Sequence, residues 1–286
     1  MKSSRMLLVI SLLAASGARA ADCDRECLRG FITSYLDALV AHKPGTVPAA
    51  ATVKFTEDGA IMKLGEGKLW TNVSRLTTFR QDFLDVRQGV AAAHVKVEEG
   101  TSPALLALRL KIVDKKITEV ETLVTHNQAE GMIFDVNAIQ TASTAMAVVP
   151  DKSQLNSREE AIRIASLYPA GLKTGSFAKV DVPFAPEAYR FENGRLMAGP
   201  GCTFIAGCQD IKGQRIPTLS GIKFKVAAVD EELGIVLLRL DFGPGSVNGA
   251  ANTLIPFEAF KVYGGQIHAV EAFMKVMPAS APSGWD

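Results

Sequence analysis

The sequence predicts an α+β chain in which one unit, a helix followed by a bent antiparallel sheet, is used twice. Three observations carry this. Leu105–Thr125 reads as two strands joined by a tight turn at Val113-Asp114-Lys115-Lys116, because aliphatic and β-branched residues fill its arms and polar residues interrupt them with a period near two. The hairpin recurs: Lys111–Glu121 is echoed by Lys261–Glu271, with Lys, Ile, Val and Glu at matching places. A second echo links Phe55–Met62 to Phe191–Met197, with the turn acids and glycine aligned.

In the first copy, Leu28, Phe31, Ile32, Tyr35, Leu36, Leu39 and Val40 fall at helical spacing, which predicts a helix over Asp24–His42. Asp22 or Asp24 caps it and Pro44-Gly45 ends it. Strands are expected at Val53–Phe55, Ala60–Leu64 and Ala92–Glu98, while Arg75–Val86 reads as helical or irregular. The second copy opens on the capping box Ser157-Arg158-Glu159-Glu160, and Pro169 is expected to kink or stop the helix that follows. Strands then fall at Ile222–Ala228 and Ile235–Phe242, with a last hairpin over Phe257–Val276. Leu237-Leu238-Arg239-Leu240 is matched to Ala107-Leu108-Arg109-Leu110, which sets Arg239 against Arg109. The expected organisation is a signal peptide over 1–20, the first repeat over 21–127, a packed connector over 128–156, the second repeat over 157–277 and a loose tail over 278–286. The connector is expected to pack because it carries Met132, Ile133, Phe134 and Ile139.

Lys2 and Arg5, the apolar run Leu7–Gly17 and the small-residue pattern Ala18-Arg19-Ala20 read as a secretory signal, too short for a stable anchor. Its removal leaves 28 Lys and Arg against 30 Asp and Glu, a formal charge of −2. No basic stripe is present, so nucleic acid is not an expected partner, and no later segment has the apolar length of a membrane span. The expected location is periplasmic or secreted. The even set Cys23, Cys27, Cys202 and Cys208 fits disulfides there. Local pairs are preferred over crossed ones because each is already close along the chain. The first pair meets a geometric objection if residues 23–27 are helical. The spacings do not suit zinc.

A helix followed by a bent sheet whose last hairpin carries the strongest apolar strands resembles the nuclear-transport-factor-2-like (SnoaL-like, cystatin-like) cone, here in tandem. More narrowly, Leu69-Trp70-Thr71, the Arg80…Asp85 segment, Ala107–Lys111 with Glu119-Val120-Glu121, and the Val229–Val236 turn resemble an uncharacterised family of exported fungal and bacterial proteins. The resemblance implies two cone-shaped repeats paired as a monomeric pseudo-dimer, each with a pocket between helix and sheet. Cyclases and isomerases of this fold use an acid or histidine on the last long strand. The corresponding positions here are Thr122 and Ala272, so any active residues must come from elsewhere.

Strand alternation makes Thr118, Val120, Thr122, Val124 and His126 the inward set, with His268, Val270, Ala272 and Met274 as their counterparts. That puts His126 and His268 near pocket mouths and turns Glu121 and Glu271 outward. His268 reads as a general base or as a hydrogen-bonded rim residue. His126 reads as a substrate contact or a strand end, and His94, between Ala93 and Val95, faces either way. Asp85 and Arg80 read as a carboxylate–arginine pair that orients a substrate hydroxyl, or as a structural ion pair. Trp70 and Tyr35 wall a pocket or fill a core. Nucleotide-loop, zinc-protease and serine-hydrolase motifs are absent from the sequence, and no cofactor is expected. The leading expectation is an exported, cofactor-independent lyase or isomerase acting on a small organic molecule, in which His268, His94 or Asp85 moves a proton while Arg80 or Tyr35 polarises an oxygen. The alternatives are a non-catalytic small-ligand binder and a scaffold with filled pockets.

Overall fold

A computed structural model describes residues 23–285; the signal sequence reading lies outside them. The first half runs α1 (Arg25–Val40), β1 (Ala49–Glu57), β2 (Ala60–Met62), α2 (Lys68–Asn72), β3 (Val73–Asp85), β4 (Val90–Glu99), β5 (Ser102–Val113) and β6 (Lys116–Thr125). Two short helices, α3 (Gln128–Gly131) and α4 (Thr144–Ala147), lie in the connector. The second half runs α5 (Arg158–Thr174), β7 (Phe184–Glu192), β8 (Arg195–Ala198), β9 (Lys223–Asp230), β10 (Ile235–Asp241), β11 (Asn252–Tyr263) and β12 (Gln266–Pro278).

The two sheets have the same order, β2-β1-β6-β5-β4-β3 and β8-β7-β12-β11-β10-β9. Each is antiparallel except for one parallel pair, β1 with β6 and β7 with β12. The fold is therefore α+β, two similar six-stranded halves of the nuclear-transport-factor-2-like type. Both closing hairpins turn through two left-handed residues, Asp114 and Lys115 in one and Gly264 and Gly265 in the other. That backbone twist suits a two-residue connection. The Asp24 carboxylate accepts from the Cys27 N–H at the start of α1, and Ser157 Oγ accepts from the Glu160 N–H at the start of α5.

Each helix packs on the concave face of its own sheet. Leu28, Ile32, Tyr35, Leu36 and Leu39 meet Val95, Leu106, Leu108, Val120 and Val124, while Ile164, Ala165, Tyr168 and Leu172 meet Val236, Leu238, Phe260 and Val270. The opposite faces of the two sheets pack on each other through Phe83, Ala92, Ala107, Leu123, Leu237, Phe257 and Phe273. The layers are thus helix, sheet, sheet, helix.

Two reciprocal buried ion pairs lock the sheets together. The Arg158 guanidinium, first residue of α5, donates to both carboxylate oxygens of Asp85 at 3.0 and 2.6 Å, and the Val229 N–H donates to Asp85 at 2.9 Å. Arg25, first residue of α1, donates to both oxygens of Asp230 at 2.6 and 2.8 Å, and the Leu84 N–H donates to Asp230 at 3.1 Å. Asp85 ends β3 and Asp230 ends β9, so the contact is isologous within one chain.

The structure corrects several sequence expectations. Residues 73–85 form an edge strand rather than a helix. Arg80 does not meet Asp85: it donates to Asp82 at 2.7 and 2.9 Å and to Thr33 Oγ1 at 2.8 Å. Residues two apart on a strand share a face, whereas residues five apart do not. Pro169 is buried inside α5, which continues to Thr174 and ends on the left-handed Gly175. β10 takes the place of β4, so Arg239 corresponds to His94 and not to Arg109. Both expected local disulfides are present, Cys23–Cys27 and Cys202–Cys208, with Cα–Cα distances of 5.2 and 5.7 Å. Cys23 precedes the Asp24 cap, so its thiol approaches from non-helical chain and escapes the expected clash. The tail is not free: Trp285 Nε1 donates to Thr56 Oγ1 at 3.0 Å, and Lys54 Nζ lies 4.3 Å from the ring centroid.

Candidate ligand cleft between the sheets

The space between each helix and its sheet, where a pocket was expected, is filled with side chains. Tyr35 and Trp70 pack edge to face at 5.4 Å between centroids and are almost wholly buried, so they form core rather than walls. In the second half the same space holds a polar cluster. Arg190 takes the position of Phe55 and Glu258 that of Leu108, judged by their partners on β12 and β6. Arg190 donates to the Tyr168 hydroxyl at 3.2 Å and to Gln214 Oε1 at 3.3 Å, and pairs with Glu192 at 2.9 Å. Burial, reinforced by Glu192 and opposed by Arg190, pushes the Glu258 carboxyl up to about 8.

A cavity of about 390 Å³ lies elsewhere, on the face where the sheets meet the connector. Phe79 of β3, Phe191 of β7, Phe273 of β12 and Ile139 of the connector form apolar walls. The connector is held over it by main-chain carbonyls. Lys96 Nζ donates to the Val136 and Ile139 oxygens at 2.7 and 3.0 Å, and Thr78 Oγ1 donates to the Gln140 oxygen at 2.8 Å. Lys261 Nζ donates to the Met146, Val148 and Leu233 oxygens.

One edge of the cleft is polar and fully ordered. The Tyr189 hydroxyl donates to Glu271 Oε1 at 2.6 Å, and Gln81 Nε2 donates to Glu271 Oε2 at 3.0 Å. Ser143 Oγ lies 2.6 Å from the Tyr189 hydroxyl, and the Ser143 N–H donates to Gln81 Oε1 at 3.2 Å. Ser143 is also the N-cap of α4. Three segments distant from Glu271 in sequence thus fix its carboxylate. Burial, with the neighbouring Glu271 charge, pushes the Tyr189 phenol well above its ordinary range, so it stays protonated as a donor.

His94 lines the same cleft. Its ring stacks on Phe273 at 4.4 Å between centroids and meets Phe83 edge-on at 5.1 Å. Among the described residues its Nε2 has no hydrogen-bond partner. Burial lowers its pKa to about 3, opposed by the Phe257 main chain, so the imidazole is neutral at pH 7. The unfolded chain takes up this proton near pH 6.5 and the folded chain only near pH 3, so stability falls as pH drops through that window. His94→Gln is expected to remove on the order of 2–4 kcal/mol of this acid sensitivity. Urea unfolding at pH 7 and pH 4 measures it; an identical pH dependence in the two proteins refutes it.

The remaining sequence candidates lie outside the cleft. His268 stacks on Tyr263 and pairs with Glu187 at 2.6 Å on the sheet surface. His126 sits between Glu130 at 2.8 Å and Glu99 at 3.3 Å at the end of β6. Neither is at a pocket mouth: the register shift at Lys261/Val262 leaves His268 as the bulged residue and turns it out of the inward set, and β6 ends at Thr125, so His126 lies beyond the strand. Asp85 belongs to the inter-sheet clamp. Sequence reasoning missed Tyr189, Glu271, Ser143 and Gln81. Glu271 does face away from its own helix, as alternation predicts, but that outer face is the buried contact between sheets. Among the described residues, no three His, Cys, Asp or Glu side chains are grouped to hold a metal, and no helix is long and apolar enough to cross a membrane.

A family described as a domain of unknown function (DUF8021) matches residues 154–274. No curated protein matches the chain. Among solved structures, a de novo designed protein with a curved β-sheet is 16% identical over 36% of this chain and 88% of its own, with a TM-score of 0.31. A putative ketosteroid isomerase from Kribbella flavida DSM 17836 is 14% identical over 35% of this chain and 78% of its own, at 0.28. Another from Shewanella frigidimarina NCIMB 400 is 16% identical over 37% and 97%, at 0.27.

Proposed function

We propose that this chain is an exported, monomeric pseudo-dimer that binds a small, largely apolar organic molecule between its connector and its two sheets. The observation that carries the reading is the cleft itself: apolar walls of suitable volume, with a small number of convergent polar groups already held in place. Two disulfides support an oxidising compartment. The repeat and connector boundaries proposed from sequence, 21–127, 128–156 and 157–277, belong to the same reading.

The test is a neutral apolar fluorophore, N-phenyl-1-naphthylamine. Its emission is expected to rise on binding to the wild type and to stay near baseline with Ala145→Trp. Ala145 lines the cleft from α4 and is only partly buried, so an indole there fills the volume without disturbing the sheet core. Equal binding by both proteins overturns the assignment.

One contact favours a second reading, proton transfer of the isomerase type. The 2.6 Å Tyr189–Glu271 pair sets a carboxylate base beside a phenolic donor. The catalytic role expected of His268, His94, Asp85 and Arg80 would then pass to Glu271 and Tyr189.

A further inference from the structure

We infer that the ligand of the cleft is an organic cation, an ammonium group on an apolar body, with Glu271 as its counter-ion. This rests on the binding reading above and names the ligand class. The near-twofold relation between the halves supplies an internal control. Register equates Glu121 on β6 with Glu271 on β12, since each lies two positions along from a residue facing the matched lysines Lys111 and Lys261. It likewise equates Arg239 on β10 with His94 on β4.

At the twin site Arg239 Nε reaches across from the other half and donates to Glu121 Oε1 at 2.7 Å, both side chains being largely buried. The space left there is about 50 Å³, and residues 277–283 cover it much as residues 138–145 cover the cleft. At the cleft the arginine is replaced by a neutral imidazole lying flat on Phe273. Among the described residues, Glu271 is met by the uncharged donors Tyr189 and Gln81 alone. No lysine or arginine is among the described residues lining the cleft, and the nearby Lys96 ammonium is held by the Val136 and Ile139 carbonyls.

One carboxylate therefore lacks the cation that its twin possesses, and the space opens on the side from which that cation comes. A half-buried carboxylate gains most from a positive partner that also displaces water. The aromatic rings of Phe79, Phe191 and Tyr189, which line the cleft, add attraction for an ammonium. An anionic ligand would meet Glu271 directly.

The test uses phenyltrimethylammonium and its neutral carbon isostere tert-butylbenzene as competitors of N-phenyl-1-naphthylamine. On the wild type the cation is expected to compete on the order of tenfold more strongly. Glu271→Gln is expected to level the two competitors, each measured against that variant's own fluorophore affinity. His94→Arg, which rebuilds the twin's arrangement, is expected to abolish competition by the cation. Equal competition on the wild type, or a preference that survives both substitutions, overturns the cation assignment while leaving the cleft intact. Failure of the fluorophore to bind the wild type overturns the cleft reading, and this inference with it.

Discussion

Replacing Asp85 with alanine is expected to lower the unfolding free energy by about 3–5 kcal/mol, the cost of leaving a buried charge without its partner. Arg158 is about nine-tenths buried and spends two donors on this carboxylate, which is itself 1% exposed, and the Val229 N–H points at the same group. Once the carboxylate is gone, Arg158 is left with the looser 3.6 Å contact with Glu231, and the Val229 N–H loses its acceptor. Asp230→Ala is expected to cost a similar amount for the same reason. The two losses should not add, because each aspartate accepts from the strand that carries the other. Asp85→Leu combined with Arg158→Met replaces the pair by apolar groups and is expected to recover most of the loss. Urea denaturation of the wild type, the two single alanines, their double and the Leu–Met pair decides this, and a loss below about 1 kcal/mol for either single alanine would show that the clamp is solvated.

The second large effect concerns Glu258. Its folded pKa stands near 8 against an ordinary 4.5, so the folded state holds a proton that the unfolded state releases. Stability therefore falls as pH rises from about 4.5 to about 8 and is level on either side of that window. At pH 8.5 the wild type carries a penalty on the order of 3–5 kcal/mol, the free energy of that shift. Glu258→Gln keeps the shape without the charge. It is expected to be more stable than the wild type by a few kcal/mol at pH 8.5 and nearly equal to it at pH 4.5. A stability difference that does not change between these pH values refutes the assignment.

How much of this was legible in the sequence follows from the range of the interactions. Both long helices, their caps and both closing hairpins rest on residues a few positions apart, and periodicity finds them. β3 escaped because Arg75, Thr77, Thr78, Arg80 and Asp82 give an edge strand a polar, irregular pattern. Asp85 was paired with Arg80 by nearness in sequence, whereas its true partner lies 73 residues away. The cleft escaped for a stronger reason. Phe79 and His94, Ser143, and Tyr189 with Glu271 come from both halves and the connector, and they meet only because two sheets pack back to back. A signal did exist: alternation turned Glu121 and Glu271 away from the helices, and a repeat that buries both outer strand faces in apolar residues must hide such acids somewhere.

The reciprocal clamp has a consequence for how such a molecule diversifies. A pair of separate, identical chains joined this way must carry every change twice, so a gap opened at one carboxylate is opened at both. Covalent fusion lifts that restriction. Here one half holds a guanidinium at Glu121, and among the described residues the other half holds only uncharged donors at Glu271. On the proposed reading, the Glu121 side adds cohesion to that of the clamp, and the Glu271 side takes the guest.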